Sequence, residues 1–213
     1  MDILKQLSSQ KGDRTEKSNR SVVDKCLKKH DLLNEISFGL SNDADTKLQA
    51  DCAEVFAMVS EVNPDLVVPF AKNLLPLLSS KDTKARWETV HALAFISEKI
   101  PKIISSILPN LEKLIQTDKS TIVRDHAIDT VSNYSKTGKA ASEESFKVLK
   151  VALKEWKDKH AKQVFKGFYH IMILQPSYKK EILALVSPYA DSSKGVVRKE
   201  AEKILKKAEN EFA

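Results

Sequence analysis

Apolar residues recur at intervals of three and four along almost the whole chain, the period of a helix with one buried face. The pattern begins at Ser21 with Val22, Val23 and Leu27, followed by Leu32, Leu33, Ile36 and Leu40. After a turn cluster at Ser41-Asn42-Asp43-Ala44-Asp45 it predicts helices over 46–62, 64–78, 82–100, 101–115, 121–136, 142–157, 160–174, 177–189 and 196–209. Pro64, Pro101 and Pro176 open helices, where a missing N–H costs nothing. Gly138 reads as a left-handed cap closing the helix before it. Ahead of this array, Ile3, Leu4 and Leu7 form a short helical turn that either docks as a cap or stays free. Residues 8–20 contain no large apolar side chain and predict a mobile linker. The expected organisation is an N-terminal helix and linker over 1–20, then one helical domain over 21–213.

The predicted helices repeat one another. Aligning those that follow each short turn brings Gln49, Arg86, Arg124, Lys162 and Arg198 into one column, 36 to 38 residues apart. An apolar residue precedes each of them (Leu48, Ala85, Val123, Ala161, Val197), and another follows seven positions later (Phe56, Leu93, Val131, Tyr169, Leu205). Asp45, Asp82 and Asp158 stand four before three of them. The prolines keep the same spacing, with Pro76 and Pro188 each ten residues before their arginine. An interior proline kinks a helix, so the first helix of such a pair is expected to bend.

A bent first helix, a turn carrying Asp and a second helix opening on an apolar residue and Arg, repeated every 37–38 residues, resembles HEAT repeats. Asp82-x-x-Ala85-Arg86, Val123-Arg124 and Val197-Arg198 carry the resemblance best, and it extends over 31–209. It implies an all-α, armadillo-like fold: a right-handed α–α superhelix, or α-solenoid, of about five HEAT-like helix pairs whose second helices line a concave side. On this reading Asp82, Arg86, Arg124, Lys162 and Arg198 form a structural ladder in which the cations pair with turn aspartates. Two repeats depart from the pattern. Gln49 takes the arginine place in the first. In the fourth, Lys162 stands there, the first helix lacks a proline, and Phe165 fills a position where small residues usually pack, which predicts a looser or re-angled junction.

Composition narrows the setting. Only 5 glycines and 7 prolines occur in 213 residues, which suits a helical protein. Two cysteines, Cys26 and Cys52, are too few for a disulfide framework and read as small hydrophobes. The first residues lack a signal-peptide pattern. No apolar run approaches the ~18 residues that span a bilayer. A cytoplasmic protein with reduced thiols and no membrane partner is expected. The net charge of +6 is uneven: residues 31–135 carry 10 basic and 15 acidic side chains, residues 136–166 carry 9 and 4. So mild an excess suits a lysine-rich solvated surface better than a nucleic-acid patch.

The chain contains no phosphate-binding glycine loop, Cys-x-x-Cys, His-Glu-x-x-His or nucleophile elbow, so neither a catalytic residue nor a cofactor is expected. Glu54, His91 and Asp129 align across adjacent repeats. Neighbouring helices lie ~8–10 Å apart, however, too far for these side chains to converge within ~2.1 Å of one metal. What remains is a groove. Three columns of the second helices are expected to face outward: Ala50, Trp87, Asp125, Gln163 and Lys199; Glu54, His91, Asp129, Gly167 and Lys203; Ala57, Ala94, Ser132, His170 and Lys206. Trp87 is either folded into a neighbouring helix or an anchor for a partner. Trp156, ending the stripe Phe146, Leu149 and Leu153, reads as core. The function this favours is a scaffold or adaptor that takes a protein or peptide partner on a groove formed by Trp87, His91, Asp125, Asp129 and Glu54, with Lys199 and Lys203 at one end. The alternative comes from the resemblance alone: some HEAT-like proteins are DNA glycosylases for alkylated bases, and Trp87 with Arg124 echoes their lesion site. Against it, position 91 is His where an Asp is expected, Gln163 stands where an aromatic is expected, and Glu54, Glu88, Asp125 and Asp129 would repel phosphates. A third reading is a spacer in which no groove residue matters.

Overall fold

The computed structural model describes residues 2–41 and 45–211, so residues 42–44 of the turn cluster lie outside the described residues. Among the described residues there are twelve α-helices, linked by 3₁₀ segments and turns, and no strand. The chain divides into two compact units, residues 1–103 and 104–213.

The first unit is built around α4 (Thr46–Val62), which packs along α6 (Thr83–Ile96) and against α2 (Lys17–Lys28) and α3 (Leu32–Leu40). Twelve of its 17 residues are buried, polar ones among them. Asp45 caps it by accepting from the N–H groups of Lys47 and Leu48, and Asp82 caps α6 by accepting from Ala85. Cys52, Val55, Phe56 and Val59 are fully enclosed, each contributing roughly 1.5–3 kcal/mol of burial for its larger members. At Gly39 a Cβ would stand 2.5 Å from the Cys52 sulfur, so α3 and α4 approach closely there. The predicted helix over 64–78 is instead a chain of short pieces: 3₁₀ turns at Pro64–Leu66 and Val68–Phe70, α5 (Ala71–Leu74) and a further 3₁₀ stretch at Leu75–Ser79. Pro64 opens the segment, and Pro69 and Pro76 inside it each withhold an N–H and crowd the preceding turn, so the expected bend becomes a succession of breaks.

Residues 8–20 are not a free linker. Ile3 and Leu7 are buried, α1 (Ser8–Lys11) and α2 are helical, and Ser8 and Asn19 are buried too. The segment lacks apolar residues because it is held by hydrogen bonds rather than by a greasy face.

In the second unit α7 (Pro101–Thr117, entering from Ile104), α8 (Thr121–Tyr134), α9 (Lys139–Lys154), α10 (Ala161–Leu174), α11 (Lys179–Val186) and α12 (Gly195–Glu211) follow one another. Here α10 is the central element, packed on α8, α9, α11 and α12. Its Phe165 and Phe168 are fully buried. Phe168 meets Phe146, with ring centroids 5.7 Å apart, and Phe165 meets Tyr189 edge-on at 5.2 Å. Gly138 adopts φ 153° and ψ 177° rather than the expected left-handed cap, an extended mirror-image geometry that glycine tolerates. Between α9 and α10, in the repeat that lacks the proline, Trp156, Lys157 and Asp158 have φ of 55°, 53° and 60°. A left-handed residue costs roughly 1–2 kcal/mol when it carries a Cβ, so this turn needs outside support.

Candidate binding cleft

On α6 the spacing from Asp82 puts Lys84, Trp87, Glu88 and His91 on one face, and α4 presents Lys47, Ala50, Asp51, Glu54, Met58 and Glu61 in the same way. Together with residues of the N-terminal segment they line an open cleft of about 890 Å³ inside the first unit. Seven carboxylates and four Lys or Arg side chains line it.

The N-terminal wall is fixed by polar contacts. Ser8 donates its N–H to Asn19 Oδ1 (2.8 Å) and its hydroxyl to the Thr15 carbonyl (2.9 Å). Asp13 accepts from the N–H of Thr15 (2.9 Å), the hydroxyl of Ser18 (2.8 Å) and the hydroxyl of Thr15 (2.8 Å), which hold its carboxyl well below the usual carboxylate range. The wall is tied to α4 by Ser9 N–H to Asp51 Oδ2 (2.7 Å) and by the Asn19 amide to Glu54. Across the cleft Lys84 Nζ lies 2.8 Å from both Asp51 and Glu54. Burial opposes charge on Lys84 and Asp51, but their mutual hydrogen bond, with Glu54 and Ser9 added, outweighs it. The Lys84 pKa is raised and the Asp51 pKa lowered. Glu88 is different: burial pushes its pKa up, Glu54 adds to this, and His91, 3.5 Å away, opposes it. Trp87 is partly exposed, while its indole Nε1 is buried with no hydrogen-bond partner among the described residues.

Of the groove columns singled out from sequence, Ala50, Trp87, His91 and Glu54 line this cleft, although Ala50 is buried rather than outward. Glu54 is 6 % exposed because the N-terminal segment lies over it. Asp125, Asp129, Lys199 and Lys203 belong to the second unit. There Asp125 accepts from His160, Asp129 lies 4.0 Å from His126, and Lys199 and Lys203 are exposed on α12. The third outward column is a correction: Ala57, Ala94 and Ser132 are buried. So is Gly167 of the second column, where a Cβ would collide with Leu149 and Ser132 at the crossing of α10 with α8 and α9. Asp51 and Lys84 escaped the sequence reading. Their signal was the shared face of Lys84 with Trp87 and Glu88.

The repeat column has one recurring contact. Arg86, Arg124 and Arg198 each donate to the carbonyl six residues upstream, Ser80 (2.7 Å), Asp118 and Ser192 (3.0 Å), while Gln49 donates to Leu40 (2.9 Å). These are carbonyls of the turn leading into the helix, so the side chain satisfies acceptors that the preceding segment leaves unpaired. Lys162 is exposed. Arg124 goes further: it is 2 % exposed, donates through Nε to His160 Nε2 (2.9 Å) and through Nη2 to the Thr121 hydroxyl (3.2 Å), and lies 3.8 Å over the Trp156 ring. Burial pushes its pKa down, with Asp125 and Asp118 opposing. Trp156 is therefore not core. It is 39 % exposed, covers the guanidinium and donates its indole N–H to the Ile115 carbonyl (2.9 Å). A guanidinium so enclosed is not placed to meet a DNA phosphate.

Both cysteines are buried, and burial pushes the Cys26 thiol up to about 11 and that of Cys52 further. Among the described residues no three His, Cys, Asp or Glu side chains are placed to hold a metal ion, and no helix is long and apolar enough to cross a membrane.

No protein-family model matches the chain, and no curated protein matches it. Solved structures do. A designed armadillo repeat protein aligns with TM-score 0.73 at 17% identity, over 96% of this chain and 97% of its own. A second, in complex with the peptide (KR)4, aligns with TM-score 0.73 at 16% identity over the same shares. An engineered protein aligns with TM-score 0.69 at 17% identity, over 98% of this chain and 95% of its own. Likeness at such identity is a likeness of backbone, and it agrees with the 36–38-residue spacing of the arginine column: the chain has the armadillo-like helical-repeat fold.

Proposed function

We propose that the protein is an interaction scaffold whose first unit takes an extended cationic peptide segment of a partner into the cleft between the N-terminal segment, α4 and α6. The observation that carries this is the cleft itself, open, rich in carboxylates and walled by a tryptophan. Asp51 and Glu54 already hold one ammonium, that of Lys84, between them. Glu61, exposed, supplies further negative charge for an arriving lysine or arginine. The Trp87 ring offers a surface for the aliphatic stem of such a side chain. A designed armadillo repeat protein of the same fold was solved with (KR)4, which makes that peptide a fitting probe.

Fluorescence anisotropy with labelled (KR)4, and with an acidic peptide of equal length, tests the reading. Binding of the basic peptide alone is expected, weakening as salt rises. Trp87→Ala is expected to reduce affinity about tenfold or more, as loss of an interface anchor does. Its melting transition should stay cooperative. Equal binding of both peptides, or undiminished binding by the Trp87 variant, would sink the proposal.

A further inference from the structure

The Arg124–His160–Asp125 cluster of the second unit plays no part in the cleft, yet it is closely bonded and largely buried. His160 is fully buried. Its Nε2 stands 2.9 Å from Arg124 Nε, and an arginine Nε can only donate, so Nε2 is the acceptor. The ring proton is then on Nδ1, 2.6 Å from Asp125 Oδ1, which accepts it. Neutral His160 is the form this geometry requires. A second proton would place an N–H on Nε2 facing the N–H of Arg124, two cationic donors with no acceptor between them.

The same arginine supports the left-handed turn. Trp156 stacks on its guanidinium, and Trp156, Lys157 and Asp158 are the three non-glycine residues with positive φ among the described residues. The other supports of this turn are hydrogen bonds: the Trp156 indole to Ile115, Tyr189 to Asp158 (2.7 Å) and Lys194 to the Lys157 carbonyl (2.9 Å). Of the charged and titratable groups here, Arg124 and Asp125 on α8 bond His160 directly; Asp118, in the turn before α8, accepts from Arg124, Asp158 accepts from Tyr189, and Lys159, next to His160 in the chain, is bonded to Thr121.

We propose that this cluster is a proton-operated latch on the connection between α9 and α10, closed while His160 is neutral and released when it takes up a second proton. Protonation converts the Arg124–His160 hydrogen bond into a repulsion. Arg124 withdraws, Trp156 loses the surface it is stacked on, and residues 155–160 are freed from a backbone conformation they hold only under restraint. The connection thus becomes sensitive to acidification.

The test uses the full chain carrying Trp87→Phe, which leaves Trp156 as the one tryptophan of two. Its emission is followed as the buffer is acidified from about pH 8 to about pH 5. A reversible single transition is expected. It should vanish in His160→Gln, whose amide accepts from Arg124 and donates to Asp125 but takes no proton. A flat profile in the parent, or the same transition in the glutamine variant, overturns the latch. Should His160→Gln fail to fold, hydrogen exchange on the unsubstituted chain decides the matter. After correction for intrinsic rates, amides of 155–161 are expected to exchange about tenfold faster at the acidic end while those of α9 do not change. Equal protection at both ends overturns the proposal.

Discussion

Arg86 and Arg124 occupy the same position in successive repeats and make the same contact to the carbonyl six residues upstream, yet one is partly exposed and the other is sealed. The repeat dictates the first contact, since a long side chain at that register reaches the unpaired carbonyls of its own turn. It does not dictate the second environment. Arg124 is enclosed because Trp156 and His160, more than thirty residues further on, are brought over it by a turn with no counterpart among the described residues of the first unit. A repeated sequence thus fixes a local bond, while one irregular segment decides whether the same residue is a surface brace or a buried ion.

The largest effect should come from separating these two roles. Arg124→Ala takes the donor from buried His160 Nε2 and the cation from beside Asp125, and is expected to cost about 3–5 kcal/mol, the usual loss when one partner of a buried charge cluster is removed. Arg86→Ala removes bonds to Ser80, Lys81 and Thr83 at a partly exposed site where water can replace them, and should cost about 1 kcal/mol. Urea denaturation followed by circular dichroism measures both. Equal losses would mean that burial makes no difference and the comparison fails.

The first unit has a buried charge cluster of its own, and it sharpens the contrast. Asp51 and Glu54 have side chains 5% and 8% exposed, but the Lys84 between them is 37% exposed. Lys84→Met should therefore cost less than Arg124→Ala, about 2 kcal/mol near neutral pH, because a partly solvated ammonium is a weaker partner than a sealed one. The loss must depend on pH in a defined direction. Asp51 has a lowered pKa when folded, so its contribution is present above the unfolded value near 3.9 and disappears as pH falls through the folded value. Lys84 has a raised pKa, so its contribution is intact below the unfolded value near 10.4 and disappears as pH rises through the folded one. The gap in melting temperature between parent and variant should be widest between about pH 5 and pH 10 and close at both ends. A gap that is constant with pH would make Lys84 a packing residue.

These contrasts also mark what the sequence could show. The spacing of Gln49, Arg86, Arg124, Lys162 and Arg198 was legible because a repeat is a one-dimensional signal, and it led to the fold. Four members of the cleft, Ala50, Glu54, Trp87 and His91, were legible from helical phase alone. Asp51 and Lys84 were not, because their importance depends on each other across two helices. The N-terminal segment was misread because a search for buried surface follows apolar side chains, and Ser8 and Asn19 are buried through hydrogen bonds instead. Trp156 was misread as core for a related reason: its place at the end of an apolar stripe assumes that the helix continues, whereas α9 ends at Lys154 and the chain turns left-handed two residues later.

That last difference gives the smallest effect and the cleanest sign. Lys157 has φ 53° and an exposed side chain, and what its neighbourhood uses is its carbonyl, which accepts from Lys194. Glycine at this position removes the clash of a left-handed Cβ, roughly 1–2 kcal/mol, and adds chain entropy to the unfolded state worth roughly 0.5–1 kcal/mol. Lys157→Gly should therefore stabilise the protein by about 0.5–1 kcal/mol. Three residues earlier Lys154, also exposed, closes α9 with helical φ and ψ of −88° and −21°. There glycine relieves nothing, and Lys154→Gly should destabilise by about 0.5–1 kcal/mol. The same replacement at two exposed lysines is expected to move the urea midpoint in opposite directions. If both variants lose stability, the left-handed turn is not the conformation held in solution, and the enclosure of Arg124 that depends on it falls as well.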